Sequence, residues 1–278
     1  MSNDSFDLES DAEASAFDEL PLWAAPFGLR LLELVRLAPE LHVLDVGFGS
    51  GFPLFELAMR LGPRATVHGL DPWPAAQRRA AFKRDHAGLS QVQLHQGVAE
   101  AMPFADASFD CVVSNNGYNN VADRRQAFRE TARVCRQGAQ LVFSLNLRGS
   151  FFELHEELIG VLERAGIPGA RAALDAFIDA RRPALGDVLR DLADAGFALE
   201  HVLHDSFAFR FGCAAALSSH VFFRRSQLPA LRGLVAADRR DAVFRELERR
   251  LDDRAERDGE LRLTVPFAVV SAARVAHP

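Results

Sequence analysis

The chain has 278 residues but only three cysteines, no long apolar run and no excess of basic charge. Cys111, Cys135 and Cys213 are far apart, so their spacing predicts neither a disulfide framework nor a zinc site, and we expect no bound metal. No uninterrupted apolar run reaches the length of about eighteen residues that a bilayer span needs. The N-terminus is acidic where a secretory signal would be basic. These absences predict a cytoplasmic protein without a membrane partner.

The net charge of −6 is concentrated at the start of the chain. Residues 1–20 contain seven acidic and no basic residues, which leaves residues 21–278 with a net charge of +1. A body this close to neutral lacks the basic face that nucleic-acid binding needs, so we expect no nucleic-acid partner. We interpret residues 1–20 as an acidic, flexible tail.

The order of short apolar strands and helices predicts an α/β fold. With 49% hydrophobic and 25% charged residues, the chain can bury a sizeable core. Strands and helices alternate between residues 41 and 145, as in a parallel sheet that helices cover on both faces. We therefore assign residues 21–150 to this core. Residues 151–278 add helices and two further strands, and they are expected to form a helical lid and the last strands of the same sheet.

The most informative motif is LHVLDVGFGSG at residues 41–51. An apolar strand ends in Asp45-Val46, and glycines follow at positions 47, 49 and 51. Glycine permits a tight turn in which a ligand can approach the backbone closely, and a helix is predicted to begin directly after it, at Pro53. The motif predicts a binding site for a nucleotide-like cofactor.

The spacing of the glycines distinguishes between two kinds of cofactor. A dinucleotide fingerprint, G-x-G-x-x-G, would place its last glycine at position 52, where this chain has Phe52. The observed G-x-G-x-G, with an acid two residues before it, instead resembles motif I of the class I methyltransferases that use S-adenosylmethionine. Charge agrees with this resemblance, because a sulfonium and an ammonium tolerate the nearby Asp45. An NAD(P)-dependent oxidoreductase is kept as the alternative.

A second acid follows the next predicted strand. Asp71 comes at the end of the strand at 65–70, on the sheet edge where ligands bind in open parallel sheets. A carboxylate there can accept hydrogen bonds from both hydroxyls of a ribose. Pro72 and Trp73 come next, and Trp73 either packs on an adenine or fills the start of the following helix.

Two downstream segments extend the resemblance. Residues 96–104 (QGVAEAMPF) and 107–115 (ASFDCVVSN) are similar to the methyltransferases of ubiquinone and menaquinone biosynthesis. The resemblance covers residues 40–146. It implies a Rossmann-like, doubly wound, mostly parallel seven-stranded sheet that binds S-adenosylmethionine, with the last two strands antiparallel.

The resemblance also assigns roles to residues after the third and fourth strands. It implies that Ala99 and Glu100 bracket the adenine, and that the end of the fourth strand faces the methionyl part. Val98 stands where many relatives have an aspartate, so we expect Glu100 or the backbone to read the adenine amine. The expected cofactor contacts are Asp45, Gly47, Phe48, Gly49, Gly51, Asp71, Pro72, Trp73, Ala99, Glu100, Ser114, Asn115 and Asn116.

The sequence describes the methyl acceptor only in outline. The many phenylalanines after residue 150 suit an apolar pocket, although most of them are more simply explained as core. We predict a small, apolar or aromatic acceptor that is methylated on oxygen or carbon. The position of Tyr118 resembles the place where amine methyltransferases carry an Asn/Asp-Pro-Pro-Tyr motif, but the prolines are absent, so transfer to an exocyclic amine of a base is disfavoured. A protein that binds the cofactor without turnover is a further alternative, and the sequence leaves open whether the chain is a monomer or a homodimer.

Three side chains are candidates for a general base. They are Tyr118, His155 and His220, and for each of them a structural role is the simpler explanation. Because methyl transfer is an in-line displacement at carbon, alignment in a dry pocket can supply much of the rate without any base.

Overall fold

A computed structural model describes residues 7–19 and 22–275 of the chain. Residues 1–6 and 20 of the predicted tail lie outside the described ranges. One sheet runs through the described part. Its strands are β1 (His42–Val46), β2 (Thr66–Asp71), β3 (Val92–Gln96), β4 (Phe109–Asn115), β5 (Cys135–Asn146), β6 (Phe197–Phe211) and β7 (Leu261–Arg274).

The strand order is β3-β2-β1-β4-β5-β7-β6. Strands β1 to β5 pair in parallel, and β7 runs antiparallel to β5. The chain therefore leaves β1 in one direction along the sheet to reach β2 and β3, and it returns to the other side of β1 to form β4. The predicted doubly wound, mostly parallel seven-stranded sheet is confirmed.

Helices connect the strands. They are α1 (Asp11–Glu19), α2 (Ala24–Leu34), α3 (Leu54–Leu61), α4 (Pro74–His86), α5 (Arg124–Val134), α6 (Phe152–Arg164), α7 (Ala170–Arg181), α8 (Leu185–Asp194), α9 (Ala214–Ser219), α10 (Leu228–Arg232) and α11 (Ala237–Asp258). None of these helices has the length and apolar character that a membrane span requires.

The described residues divide into two compact units. Residues 8–146, 183–204 and 267–275 form the sheet unit, and residues 147–182 and 205–266 make up most of the helical unit. In the sheet unit, alternate strand residues such as Leu44 and Leu141 join a buried cluster with Phe128 of α5 and Leu192 of α8. Helix α2 contacts β4 and β5 and contributes no residue to that cluster, so it covers the opposite face. Burial on both faces explains the nearly continuous apolar strands.

The helical unit is held by packing of α11 and α7 against α6. Arg250 donates to the Glu157 carboxylate at 2.7 Å, and Arg254 also pairs with it. Several of the phenylalanines predicted either for a pocket or for core form a cluster, in which Phe151, Phe209 and Phe222 all contact Phe223. Phe152, by contrast, is 49% exposed. Phe151, Phe222 and Phe223 are buried, as the core interpretation requires.

The structure differs from the sequence prediction at the start of the chain. Residues 11–19, expected to be part of a flexible tail, form α1, which packs against α4. Ala14 is fully buried, and Asp11 accepts a hydrogen bond from Arg78 at 2.8 Å. Basic residues of α4 thus offset the acidic run, and this pairing joins segments so far apart that local composition does not reveal it.

Two histidines pair between β2 and β3. His68 Nδ1 and His95 Nε2 are 2.9 Å apart, and Phe104 contacts both rings edge-on. A hydrogen bond between two imidazole nitrogens needs at least one neutral ring. Burial, together with repulsion from His95 and His42, lowers the pKa of His68 to about 4. The folded state therefore favours a neutral His68.

This pair predicts a loss of stability in acid. The unfolded chain protonates His68 near its ordinary pKa of 6.5 and the folded chain only near 4, so the free energy of unfolding should fall as the pH drops through that window. Over this pH window, we expect the free energy of unfolding to fall by about 1 kcal/mol less in His68→Gln than in the wild type. This figure allows for solvent screening of a half-buried ring. Urea unfolding at the two ends of the window measures this difference. His86→Gln, at an exposed histidine of α4, is the control, and equal pH dependence in all three proteins would contradict the prediction.

Candidate functional site

A cavity of about 640 Å³ lies at the carboxyl ends of β1 to β4. Because β1 is followed by β2 on one side of the sheet and flanked by β4 on the other, this is the topological switch point, where open α/β sheets bind ligands. All of its wall belongs to the sheet unit. The wall is formed by residues 8, 17–18, 22–25, 46–50, 52, 70–73, 97–100, 115–117 and 120–122.

The turn at residues 47–51 depends on glycine at two positions. Gly47 has φ +80°, and a Cβ on it would lie 2.9 Å from the Cα of Gly117. Gly51 has φ +111°, and a Cβ there would lie 2.0 Å from the ring of Phe55. A side chain at either position would strain the backbone and displace a packed neighbour. The glycines therefore bring the turn close both to the loop after β4 and to α3.

The amides of these glycines are already hydrogen-bonded within the chain. Gly47 donates to the Leu70 carbonyl at 2.8 Å, Gly49 to the Asp71 carboxylate at 2.8 Å and Gly51 to the Phe48 carbonyl at 2.9 Å. A diphosphate would need such amides as donors. The turn thus fits poorly with the dinucleotide alternative.

Asp71 connects two loops of the cavity wall. Its carboxylate is 6% exposed and accepts hydrogen bonds from the amides of Gly49 and Trp73, both at 2.8 Å. Burial raises the pKa of this carboxyl, and the two amides oppose the rise. Each carboxylate oxygen has a second lone pair, so Asp71 can still accept hydrogen bonds from two hydroxyls of a ligand.

Asp45 lies behind the wall. It is fully buried, and neither carboxyl oxygen has a hydrogen-bond partner among the described residues. Burial and the neighbouring Asp71 raise its pKa to about 8. The Leu54 amide lowers the pKa in part, although it makes no hydrogen bond of normal geometry with the carboxyl group.

The end of β4 contributes two asparagines to the cavity wall. Asn115 donates to the Ala24 carbonyl and accepts from the Ser144 hydroxyl. Asn116 has left-handed backbone torsions, and its side-chain oxygen accepts from the Asn146 amide at 3.1 Å. Its Nδ2 is buried without a partner in the described ranges, so it can donate to a ligand. The predicted Ser114 instead donates to the Val46 carbonyl and does not reach the wall.

The loop after β3 also contributes to the cavity wall. Ala99 and Glu100 line the cavity, and Val98 is 45% exposed. The Glu100 carboxylate accepts from the amides of Ala122 and Asp123 at 2.7 and 3.1 Å. It therefore also fixes the start of α5, a structural role that the sequence does not indicate.

The sequence analysis missed the contribution of the first helix. Phe17 and Asp18 of α1 line the cavity, and Phe17 meets Trp73 edge-on at 6.4 Å. Asp18 accepts hydrogen bonds from Ser50 Oγ at 2.7 Å and from Arg79 and Lys83 of α4. Burial raises the pKa of Asp18, but these three donors outweigh it and hold the pKa below its usual value. The basic cluster on α4 was the available signal, since it lies opposite an otherwise uncompensated acidic run.

Of the thirteen expected cofactor contacts, most lie in the wall and three do not. Gly51 belongs to the turn, Ser114 to β4 and the buried Asp45 to β1, and none of the three lines the cavity. The expected residues in the wall are Gly47, Phe48, Gly49, Asp71, Pro72, Trp73, Ala99, Glu100, Asn115 and Asn116.

The base candidates are not in the cavity wall. The Tyr118 hydroxyl is buried 2.6 Å from Thr131 Oγ1, and burial raises its pKa. His155 and His220 belong to the helical unit, where burial lowers the pKa of each, to about 4 for His155. None of the three side chains therefore lines this cavity in a position to act as a base.

The charge of the cavity wall indicates which ligand it fits. Among its described residues, Asp18, Asp71 and Glu100 are acidic, and none is Arg, Lys or His. Together with the buried Asp45, this arrangement suits a nucleoside that carries positive charge. It does not suit a diphosphate, which would meet acids and no cation.

Comparison with known proteins agrees with this chemistry. A family model described as a methyltransferase domain matches residues 44–143. Nocamycin O-methyltransferase of Saccharothrix syringae is 32% identical over 256 residues, which are 88% of this chain and 90% of that protein. A demethylmenaquinone methyltransferase of Listeria welshimeri is 36% identical over 110 residues, 40% of this chain and 47% of that protein.

A solved structure shares the fold. The YcgJ protein of Bacillus subtilis aligns with a TM-score of 0.59 and 19% identity, over 91% of this chain and 99% of that one. The resemblance found in the sequence is confirmed by the family model and the relatives. The chain belongs to the class I S-adenosylmethionine-dependent methyltransferases, and S-adenosylmethionine is its cofactor.

Proposed function

We propose that this methyltransferase acts on a small, apolar or aromatic molecule and methylates an oxygen or a carbon atom. The observation that carries the proposal is the cavity wall, in which Leu22, Trp23 and Phe52 accompany the acids and no cationic side chain occurs among the described residues. An acceptor with a phosphate or diphosphate would find no counter-charge there. Nocamycin O-methyltransferase, a relative that aligns over 88% of the chain, is named for transfer to oxygen.

We assign the parts of the cofactor to residues of the wall. Asp71 would accept from the ribose hydroxyls, and Trp73, Ala99 and Glu100 would surround the adenine. Asn115 and Asn116 would face the methionyl part, where the free Nδ2 of Asn116 can donate to a carboxylate. Gly47, Phe48, Gly49 and Pro72 would shape the floor. Two observations support the fit of S-adenosylmethionine to this cavity: the glycine turn is hydrogen-bonded within the chain, and the charged residues of the wall are acids.

The residues of the chain would act mainly by alignment. When bound, the cofactor supplies an electrophilic methyl group on a sulfonium. The apolar wall would exclude water, and Asp71 would fix the nucleoside so that the acceptor atom attacks in line. No base would be taken from Tyr118, because its hydroxyl is buried against Thr131. Acceptors whose oxygen or carbon loses its proton readily are therefore favoured.

The acceptor class can be tested with matched compounds. We expect S-adenosylmethionine-dependent methylation of small phenols or enols, and none of the anilines or aryl phosphates of the same shape. Mass spectrometry of the products identifies the methylated atom. Methylation confined to the amines or to the phosphorylated compounds would contradict the proposal.

The proposed role of Asp71 predicts a loss of cofactor affinity on substitution. Asp71→Ala should weaken binding of S-adenosylhomocysteine by about 1.5 to 3 kcal/mol, the range for hydrogen bonds to a charged group. Asp71→Asn, which still accepts one amide hydrogen bond, should lose less affinity for S-adenosylhomocysteine. Isothermal titration calorimetry measures the affinity, with Asp85→Ala at an exposed residue of α4 as control. Unchanged affinity in Asp71→Ala would refute the assignment.

The first helix should contribute to the same affinity. Asp18→Asn removes the charge that holds α1 to Ser50 and α4, so we expect S-adenosylhomocysteine to bind about 3- to 10-fold more weakly, as for a partly buried ion pair. The wild-type affinity should also fall with added salt more than that of the variant. Asp11→Asn, in an exposed pair with Arg78, is the matched control. If both variants bind like the wild type, α1 has no part in the site.

A further inference from the structure

The buried carboxyl group of Asp45 has no hydrogen-bond partner among the described residues, and of its neighbours only the Leu54 amide favours its charged form. It comes at the end of β1, two residues before the glycine turn, and Val46 and Gly47 after it form part of the cavity wall. The side chain is 0% exposed, and neither oxygen is hydrogen-bonded within the described residues. A buried carboxylate in such surroundings is costly unless positive charge is brought near it.

The titratable groups that act on Asp45 do not supply that charge. On the neighbouring strand β2, Asp71 repels a second negative charge, and after β4 the phenol of Tyr118 is neutral. From α3 only the Leu54 amide contributes. With these neighbours the pKa of Asp45 is about 8, so the group retains its proton at neutral pH before a ligand binds.

The cofactor and its product differ by one unit of charge. S-adenosylmethionine carries a sulfonium, an ammonium and a carboxylate, whereas S-adenosylhomocysteine is a neutral thioether with the same ammonium and carboxylate. A cation held against the glycine turn would favour the ionised form of a buried acid that lies two residues before that turn in the chain. The neutral product would not.

We propose that Asp45 discriminates between cofactor and product by charge: its buried, unpartnered carboxyl group near the end of β1 gives up its proton when the sulfonium binds, which raises the affinity for S-adenosylmethionine relative to S-adenosylhomocysteine. Because Asp45 is outside the wall, it would act on the ligand through its electrostatic field and not by direct contact. Its role is to determine specificity for the charged ligand. This inference rests on the proposed seating of the cofactor against the glycine turn.

The proposal links cofactor binding to release of a proton. The affinity for a cationic ligand should rise with pH up to the pKa of free Asp45, near 8, because less of the carboxyl group then has to lose its proton on binding. The affinity for the neutral thioether should not rise with pH in this way. Asp45→Asn keeps the shape of the side chain and cannot ionise.

The test compares three ligands by equilibrium binding without an acceptor. S-adenosylmethionine and sinefungin, whose amine replaces the sulfonium with another cation, are compared with S-adenosylhomocysteine. We expect the wild type to prefer both cations, and this preference to fall about tenfold in Asp45→Asn, as for a change of one pKa unit in the coupled acid. Calorimetry in buffers of different ionisation enthalpy should detect proton release with the two cations, in the wild type only.

Two controls separate charge from folding. Asp106→Asn removes an exposed carboxylate and should leave the preference unchanged. Asp45→Asn should have a Tm at or above that of the wild type, with the difference growing as the pH rises from about 5 to about 8, because the wild type must hold a proton on the buried acid. If Asp45→Asn does not fold, the wild type alone still tests the proposal, through the pH dependence of its affinity for the cationic ligands and through proton release on binding.

The outcomes distinguish this inference from the proposed function. Equal preferences in wild type and Asp45→Asn, or cation binding without proton release, would overturn the role of Asp45 and leave the cofactor site intact. Failure of the wild type to bind any of the three ligands would contradict the site itself.

Discussion

The pair of hydrogen bonds made by the Asp71 carboxylate is the constraint on which the rest of the site depends. It joins the Gly49 amide in the turn after β1 to the Trp73 amide at the start of α4. These segments follow adjacent strands, and Asp71 at the end of β2 reaches both amides. One side chain therefore fixes the shape of the turn and still presents lone pairs to the cavity. The same acid raises the pKa of Asp45, so the two carboxyl groups are coupled.

The strand order explains why these groups meet. In the order β3-β2-β1-β4, the chain passes from β1 to β2 on one side, and β4 lies on the other side of β1, so the loops after β1 and β4 meet at this switch point. Gly47 and Gly117 approach closely at this point. Helix α1 then adds a wall from the start of the chain, held by Asp18 between Ser50 and the basic residues of α4. The result is a cavity with apolar surfaces, acids and no cation in its described wall.

Much of this was predictable because the signals are local. The glycine turn, the acid at the end of β2 and the alternation of strands and helices each involve residues close in sequence, and the spacing alone separates this turn from a dinucleotide site. The placement of α1 was not predictable in the same way, because Asp18 pairs with Arg79 and Lys83 far along the chain. Tyr118 looked like a base candidate since it follows β4, but its hydroxyl packs on Thr131 of the next helix. Ser114 was expected to face the ligand, yet it binds the backbone of β1. In each case a contact between elements decides where the side chain lies.

The central claim is that the turn at residues 47–51 and Asp71 together hold the nucleoside of the cofactor. A crystal structure of the complex with S-adenosylhomocysteine tests it most directly. The account predicts electron density for the nucleoside in the cavity, with both ribose hydroxyls within hydrogen-bonding distance of the Asp71 carboxylate and its bond to the Gly49 amide retained. Density for the ligand elsewhere, or a cavity filled by side chains of the protein with Asp71 facing away from any ligand, would contradict it.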